Sequence, residues 1–255
     1  MPISVVINTY NAAAHLRQVL ESVKGFDEVV VCDMESTDST LAMAQEFGCK
    51  VVTFPKNGIS ICEPARNTAI QAASNEWTLV VDADEVVTPQ LKDYLYARIS
   101  ETGCPDGLYV ARKNHMFGLF VKSSYPDYQL RFFRKSVTFW PPVIHSVPQV
   151  DGRVERIPKQ RAELALVHLA NDSESRYMAK MNDYSDNDAA KREGQSAGML
   201  KLVFSPLVRF FKSYVLKGGF RLGKLGFVIS CNDAIYKFLV LAKMAEREAI
   251  KKNSK

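Results

Sequence analysis

Four short runs rich in β-branched residues limit what this chain can become: Ile3–Asn8, Glu28–Asp33, Lys50–Phe54 and Trp77–Val81. Runs this short and this apolar suit strands buried on both faces. The stretches between them have helical spacing. Ala12–Lys24 places Leu16, Val19, Leu20 and Val23 on one face, Leu41–Phe47 follows the capping residues Ser36–Thr40, and Glu63–Ala73 is rich in alanine. Strands alternating with helices imply right-handed β-α-β units and a parallel sheet. Ligands of such sheets bind beyond the carboxyl ends of the strands. Here those ends carry Asn8–Asn11, Asp33 and Asp82–Glu85.

The run WTLVVDADE (Trp77–Glu85) is the sharpest of these ends, with three acids in four residues after a wholly apolar strand. Acids so close repel one another and lose hydration unless a cation joins them. Hard oxygen ligands in this place suit Mg²⁺ or Mn²⁺ shared with a phosphate-bearing substrate. The plain alternative is a solvated acidic turn before a helix capped by Thr88 with Pro89 in its first position. There is no G-x-G-x-x-G after the first strand and no G-x-x-x-x-G-K-[ST], so neither a dinucleotide fingerprint nor a P-loop is supported.

Charge is distributed unevenly. Residues 1–193 hold 21 Lys/Arg against 25 Asp/Glu, whereas residues 194–255 hold 12 against 3. The five cysteines lack a C-x-x-C pair and read as reduced, small apolar residues of a cytoplasmic protein. The chain opens on a strand pattern, so no signal peptide is expected. No stretch of about 18 residues is free of charge, which argues against a spanning helix.

The blocks ISVVINTYN (3–11), EVVVCDMESTDST (28–40), EPARNTAI (63–70) and WTLVVDADE (77–85) resemble, in order, those of family 2 glycosyltransferases with a GT-A fold. YPDYQLRFFRK (125–135) with His145 resembles a subgroup that builds lipopolysaccharide cores, the bacterial lipopolysaccharide core β-1,4-glucosyltransferases. The resemblance implies a Rossmann-like, mostly parallel α/β sheet flanked by helices. Residues 1–170 would form the catalytic domain, with a nucleotide-sugar half (1–105) and an acceptor half (106–170), and 171–255 a helical extension. It implies an inverting transfer of a hexose, from UDP-glucose or a similar UDP-sugar, to a lipid-linked saccharide. Transfer to a polyprenyl phosphate, or nucleotide-sugar and lipid binding without catalysis, are the alternatives.

Roles carry over residue by residue. Asp33 would accept from the uracil ring, with Thr9 and Asn11 lining the base pocket. Arg66 would reach the donor phosphates or form an ordinary salt bridge. Asp82 would hold the ribose or a metal-bound water, and Asp84 would ligate the Mg²⁺ or Mn²⁺. Met34, where relatives often carry a second acid, leaves the nucleobase open. A base within about 3 Å of the acceptor hydroxyl must take its proton. Asp127 is the first candidate, with a turn cap as its other reading. His145 is the second; it could also ligate metal or sit in the core, and Ser146 stands where many relatives place Glu. Arg131 contacts a phosphate or holds the site's acids. Trp140, Pro141 and Pro142 suit a rim for stacking a sugar, or plain packing.

Asp172–Gly194 reads as a polar surface helix. Between Glu193 and Asp233 there is no acid. At about 100° per residue Lys201, Arg209 and Lys212 share a sector of about 80° beside many apolar residues. The 199–224 segment thus reads as a basic amphipathic helix at an anionic membrane surface, peripheral on the cytoplasmic face. Otherwise Phe204, Phe210 and Phe211 pack on the catalytic domain and only the cations are exposed. A second helix is expected over Val228–Ala245. No nucleic-acid partner is expected, because no reading motif accompanies the positive charge.

Overall fold

The computed structural model describes residues 1–58, 62–143, 146–171 and 173–253. They form two compact units. The first, residues 1–115 and 124–170, begins with β1 (Ile3–Thr9), α1 (Ala13–Ser22), β2 (Glu28–Asp33), α2 (Thr40–Glu46), β3 (Lys50–Thr53), α3 (Glu63–Ala72) and β4 (Trp77–Asp82). Every residue of β1 is buried, as is every residue of β4 except Asp82. β1 pairs in parallel with β2 and β4, and β2 with β3. The mixed α/β sheet expected from sequence is therefore present, and its first four strands fall within a residue or two of the runs that announced them.

Next come β5 (Glu85–Val86), α4 (Pro89–Ser100) and β6 (Gly107–Met116). Thr88 caps α4 by accepting from the Leu91 amide at 3.1 Å, and Pro89 costs nothing in the first turn, where its missing N–H has no partner to lose. In the second unit, residues 116–123 include the short β7 (Leu119–Phe120). The first unit resumes with β8 (Asp127–Arg134), β9 (Thr138–Phe139), β10 (Gln149–Val150), β11 (Val154–Arg156) and β12 (Leu166–Asn171). Along the main sheet the order is β3-β2-β1-β4-β8-β6-β12-β5. β8 is antiparallel to both β4 and β6. One core cluster joins Leu16, Leu79, Leu91 and Phe132 on one side of the sheet, and another joins Val6, Val30, Ala69 and Phe133 on the other.

The second unit continues with α5 (Glu174–Ala190), α6 (Met199–Phe211) and α7 (Gly223–Asn253). Ser173 caps α5 through the Arg176 amide. A π-helical turn (Lys212–Leu216) prolongs α6, and Gly218, at φ 74°, starts the turn into α7. A Cβ on Gly226 would run into the carbonyl of Gly219, so α7 meets this turn backbone to backbone. α7 is longer than the second helix expected from sequence. Gly219–Lys252 is long and apolar enough to cross a membrane by length and composition, although Asp233 and Lys237 interrupt even its most apolar stretch and further charges flank it. Within the unit Val240, Leu241 and Met244 of α7 pack with Ala189 of α5 and with Ala197.

Candidate active site

The carboxyl ends of β1, β2 and β4 carry two separate groups of polar side chains. Around Asp33, which is fully buried, Thr9 Oγ1 donates to Oδ1 at 2.8 Å and the Ser36 amide to Oδ2 at 2.8 Å. Asn11 takes a left-handed backbone (φ 47°) and accepts the Thr37 amide on its side chain at 2.8 Å. Thr9, Asn11 and Asp33 therefore share one loop cluster. Exposed Tyr10 lies between them with Lys56 Nζ 3.4 Å from its ring centroid, a flat surface that sequence reading passed over.

The second group is an ion-pair array. Asp82 Oδ1 accepts from Arg66 Nη2 at 2.8 Å, and Oδ2 accepts from Arg131 Nη2. Arg131 also reaches Glu85 Oε1 at 3.2 Å. Arg112 joins Glu85 at 3.2 Å to Asp127 at 2.6 Å. Glu85 is fully buried and its other oxygen accepts the Asp82 amide at 2.9 Å, which closes the acidic turn on itself. Asp82, Glu85 and Asp127 are thus matched by Arg66, Arg112 and Arg131, and the partly buried array is neutral as a set. Burial alone would raise the Asp82 carboxyl, but Arg131 and Arg66 outweigh it and hold it well below the usual carboxylate range. Arg112, Asn114 and Gln129 likewise overcome burial and hold Asp127 low.

Arg131 is paired with the acids Asp82 and Glu85. Arg66 is paired as well, yet among the described residues its Nε and Nη1 have no hydrogen-bond partner although the residue is buried, and neither has the amide of buried Asn8. Asn8 is in register with Asp82 on the neighbouring strand. Orphaned buried donors of this kind mark where something polar is meant to bind. Trp140 does not form a rim. It is buried, with the Arg66 guanidinium 4.4 Å and the Arg131 guanidinium 5.9 Å from its ring centroid, and its Nε1 donates to Ser146 Oγ at 3.0 Å. Ser146, where relatives place an acid, thus holds the indole in place.

Asp84 meets β12. Its Oδ1 lies 3.6 Å from His168 Nε2, and its carbonyl accepts the Leu169 amide at 2.8 Å. His168 Nδ1 sits 2.7 Å from Asn114 Oδ1, and Asn114 Nδ2 donates to Asp127 Oδ2 at 3.1 Å. An ionised carboxylate only accepts, so Asp127 turns the Asn114 amide nitrogen towards itself and its oxygen towards His168. That oxygen requires a proton on Nδ1 and leaves the lone pair of the neutral ring on Nε2, beside Asp84. The carboxylate suits Mn²⁺ or Mg²⁺, and the imidazole nitrogen beside it favours the softer transition ion Mn²⁺ of the two. Three protein ligands do not gather at one point among the described residues. His145 lies outside the described residues. Arg112 and Asn114, which the sequence reading did not single out, alternate along β6 and so reach the same face.

A family model described as glycosyl transferase family 2 matches residues 4–146. The chain belongs to that family. Over 98% of its length this transferase is 28% identical to an uncharacterized glycosyltransferase of Rickettsia felis, covering 92% of that protein. Over 98% it is also 26% identical to the lipopolysaccharide core biosynthesis glycosyltransferase LpsC of Rhizobium meliloti, covering 94% of it. Among solved structures it is similar to S. aureus TarS 1–349, at a TM-score of 0.51 and 16% identity, covering 100% of this chain and 92% of that one. The UDP complex of the same TarS fragment gives the same TM-score. The resemblance read from the ordered blocks and the GT-A type of sheet both hold.

Proposed function

We propose that this glycosyltransferase moves a hexose from a UDP-linked donor, UDP-glucose or a similar sugar, to a lipid-linked saccharide of the lipopolysaccharide-core type, with inversion. The observation that carries the reading is the pairing of Asp84 with His168 beside a neutral acid–arginine array whose Arg66 and Asn8 retain unused polar atoms. Support for the donor comes from the UDP-bound relative of the same fold, and for the acceptor from the similarity to LpsC, a lipopolysaccharide core biosynthesis glycosyltransferase. The lipid-linked acceptor places the work at the cytoplasmic face of a membrane, with the protein peripheral to it.

In this reading Thr9, Asn11 and Asp33 receive the uracil, Arg66 and Asn8 reach the diphosphate and ribose, and Asp82 is held by Arg66 and Arg131 so that both guanidiniums stay in place. Asp84 and His168 Nε2 would hold Mg²⁺ or Mn²⁺. Such a cation offsets negative charge on the departing diphosphate. Asp127 orients Asn114 and thereby His168. A carboxylate held low by Arg112 is a poor acceptor for a hydroxyl proton near neutral pH, which leaves His145 as the other base candidate from the sequence. The test is UDP release from a panel of UDP-sugars with Mn²⁺ and a truncated lipopolysaccharide core as acceptor. Absence of UDP affinity in the unaltered protein, or undiminished turnover in Asp84→Ala, would sink the proposal.

A further inference from the structure

α6 presents its apolar residues to the outside. Leu200, Phe204, Leu207, Val208, Phe211 and Val215 recur at the three- and four-residue spacing of one helical face, and all six are exposed, Phe204 at 57% and Phe211 at 54%. Within the described residues of their own unit no other helix covers Phe204 or Phe211. Only Phe210 of the three turns inward, stacked on Tyr214 at 5.4 Å and edge-on to Phe227 at 5.5 Å. A helix of a water-soluble protein normally covers its apolar stripe, and a continuous exposed one marks a binding surface. Lys201, Lys212, Lys217, Arg221 and Lys224 are exposed beside it, and no acid occurs from residue 194 to 232. The first acid that follows in sequence, Asp233, accepts from Arg209 at 3.4 Å.

We infer that the outward face of α6 docks flat on an anionic lipid bilayer, its apolar side chains in the boundary between headgroups and acyl chains and its lysines against lipid phosphates. The charge pattern selects this occupant. A second copy brought face to face would set these cations against their own kind, because a two-fold interface repeats the same patch. Anionic lipid supplies the opposite sign over the whole patch. The one-sided stripe also distinguishes lying on the membrane from spanning it, since a spanning helix is apolar all round. α7, the helix with the length to span, packs through Val240, Leu241 and Met244 on Ala189 of α5 and carries Asp233 and Lys237 within its most apolar stretch. This is the membrane-facing part of the transferase proposed above. Its binding is read without sugar transfer, so a failed transfer assay leaves it standing and a failed vesicle assay leaves the donor site standing.

The test is co-sedimentation of the full chain with vesicles of phosphatidylcholine alone and of phosphatidylcholine mixed with phosphatidylglycerol. Binding to the mixed vesicles, weak binding to the neutral ones and release by salt are expected. The triple variant Phe204→Ser, Leu207→Ser, Phe211→Ser should lose partitioning by about tenfold or more, and Lys201→Glu with Lys212→Glu by a similar factor. Far-ultraviolet circular dichroism and thermal melting establish that each variant is folded. Equal partitioning of folded variants and unaltered protein would overturn the inference. So would failure to bind either vesicle, including the case in which light scattering shows a dimer that the triple variant dissolves. Resistance to both salt and alkaline carbonate would replace docking with insertion.

Discussion

Replacing Glu85 by Gln changes almost nothing in shape and removes one buried negative charge. Glu85 is fully buried, and Arg112 and Arg131 each reach its Oε1 at 3.2 Å. At an effective dielectric of about 20, with charge centres about 4 Å apart, each such pair contributes about 4 kcal/mol, so about 8 is lost. Against this, the neutral amide escapes the several kcal/mol that it costs to desolvate a carboxylate. The balance is about 3–5 kcal/mol, the usual cost of breaking a buried pair from one side. Gln keeps an oxygen for the Asp82 amide, so the turn itself survives. At roughly 2–4 °C per kcal/mol for a chain near this size, the melting temperature should fall by roughly 6–20 °C. Circular dichroism melting at neutral pH measures it, with Glu101→Gln as the control. Glu101 meets Arg98 with a side chain 59% exposed, and an exposed pair is worth about 1 kcal/mol at most. A Glu85→Gln melting temperature within about 2 °C of the unaltered protein would refute the charge-balanced array.

Asn114→Leu should lower Mn²⁺ affinity by about 10- to 100-fold, because the group that fixes the His168 ring is lost; titration calorimetry with UDP present measures this, and unchanged affinity would show that the Asp127–Asn114–His168 chain does not matter. For pH, the sign follows from depressed carboxyls. Asp127 contributes stability above the ordinary carboxylate range near about 4 and loses it only as pH falls through its lower folded value. Arg112→Met removes the main partner that holds Asp127 low, so its acid unfolding, followed by circular dichroism, should begin at higher pH than in the unaltered protein; superimposable curves would contradict this. Gly226→Ala should destabilise the helical unit by about 1–3 kcal/mol through the clash with the Gly219 carbonyl, visible as faster cleavage of 171–255 in limited proteolysis, and equal cleavage rates would count against that close approach.

Much of this was legible before any coordinates. Period-two and period-3.6 patterns located the first four strands and their helices because those segments are buried on one or both faces, and Thr88-Pro89 announced a helix start by capping chemistry alone. The acid cluster at the end of β4 was legible for the same reason. Its partners were not. Arg131 lies 46 residues beyond Glu85, and only the insertion of β8 between β4 and β6 brings it there, which no local period encodes. The alternation in GLYVARKNHM did put Arg112 and Asn114 on one face, a signal that gains meaning once Asp127 is known to be opposite Arg112. Trp140 misled because an aromatic before two prolines looks like a rim, whereas two guanidiniums cover its ring. For α6 the helical wheel showed a stripe but not which way it turned.

The ordering of strands has a consequence for how this enzyme can be cut, spliced or evolved. Asp82 and Glu85 belong to the first hundred residues, while Arg112 and Arg131 that balance them arrive on β6 and β8. A fragment ending before β6 would take from Glu85 both Arg112 and Arg131 and leave Asp82 with Arg66, and would also expose the flank of β4 where β8 hydrogen-bonds. Residues 1–105 and 106–170 are consequently not interchangeable modules. A chimera that borrows one without the matching arginines or acids of the other inherits a stranded charge at its centre.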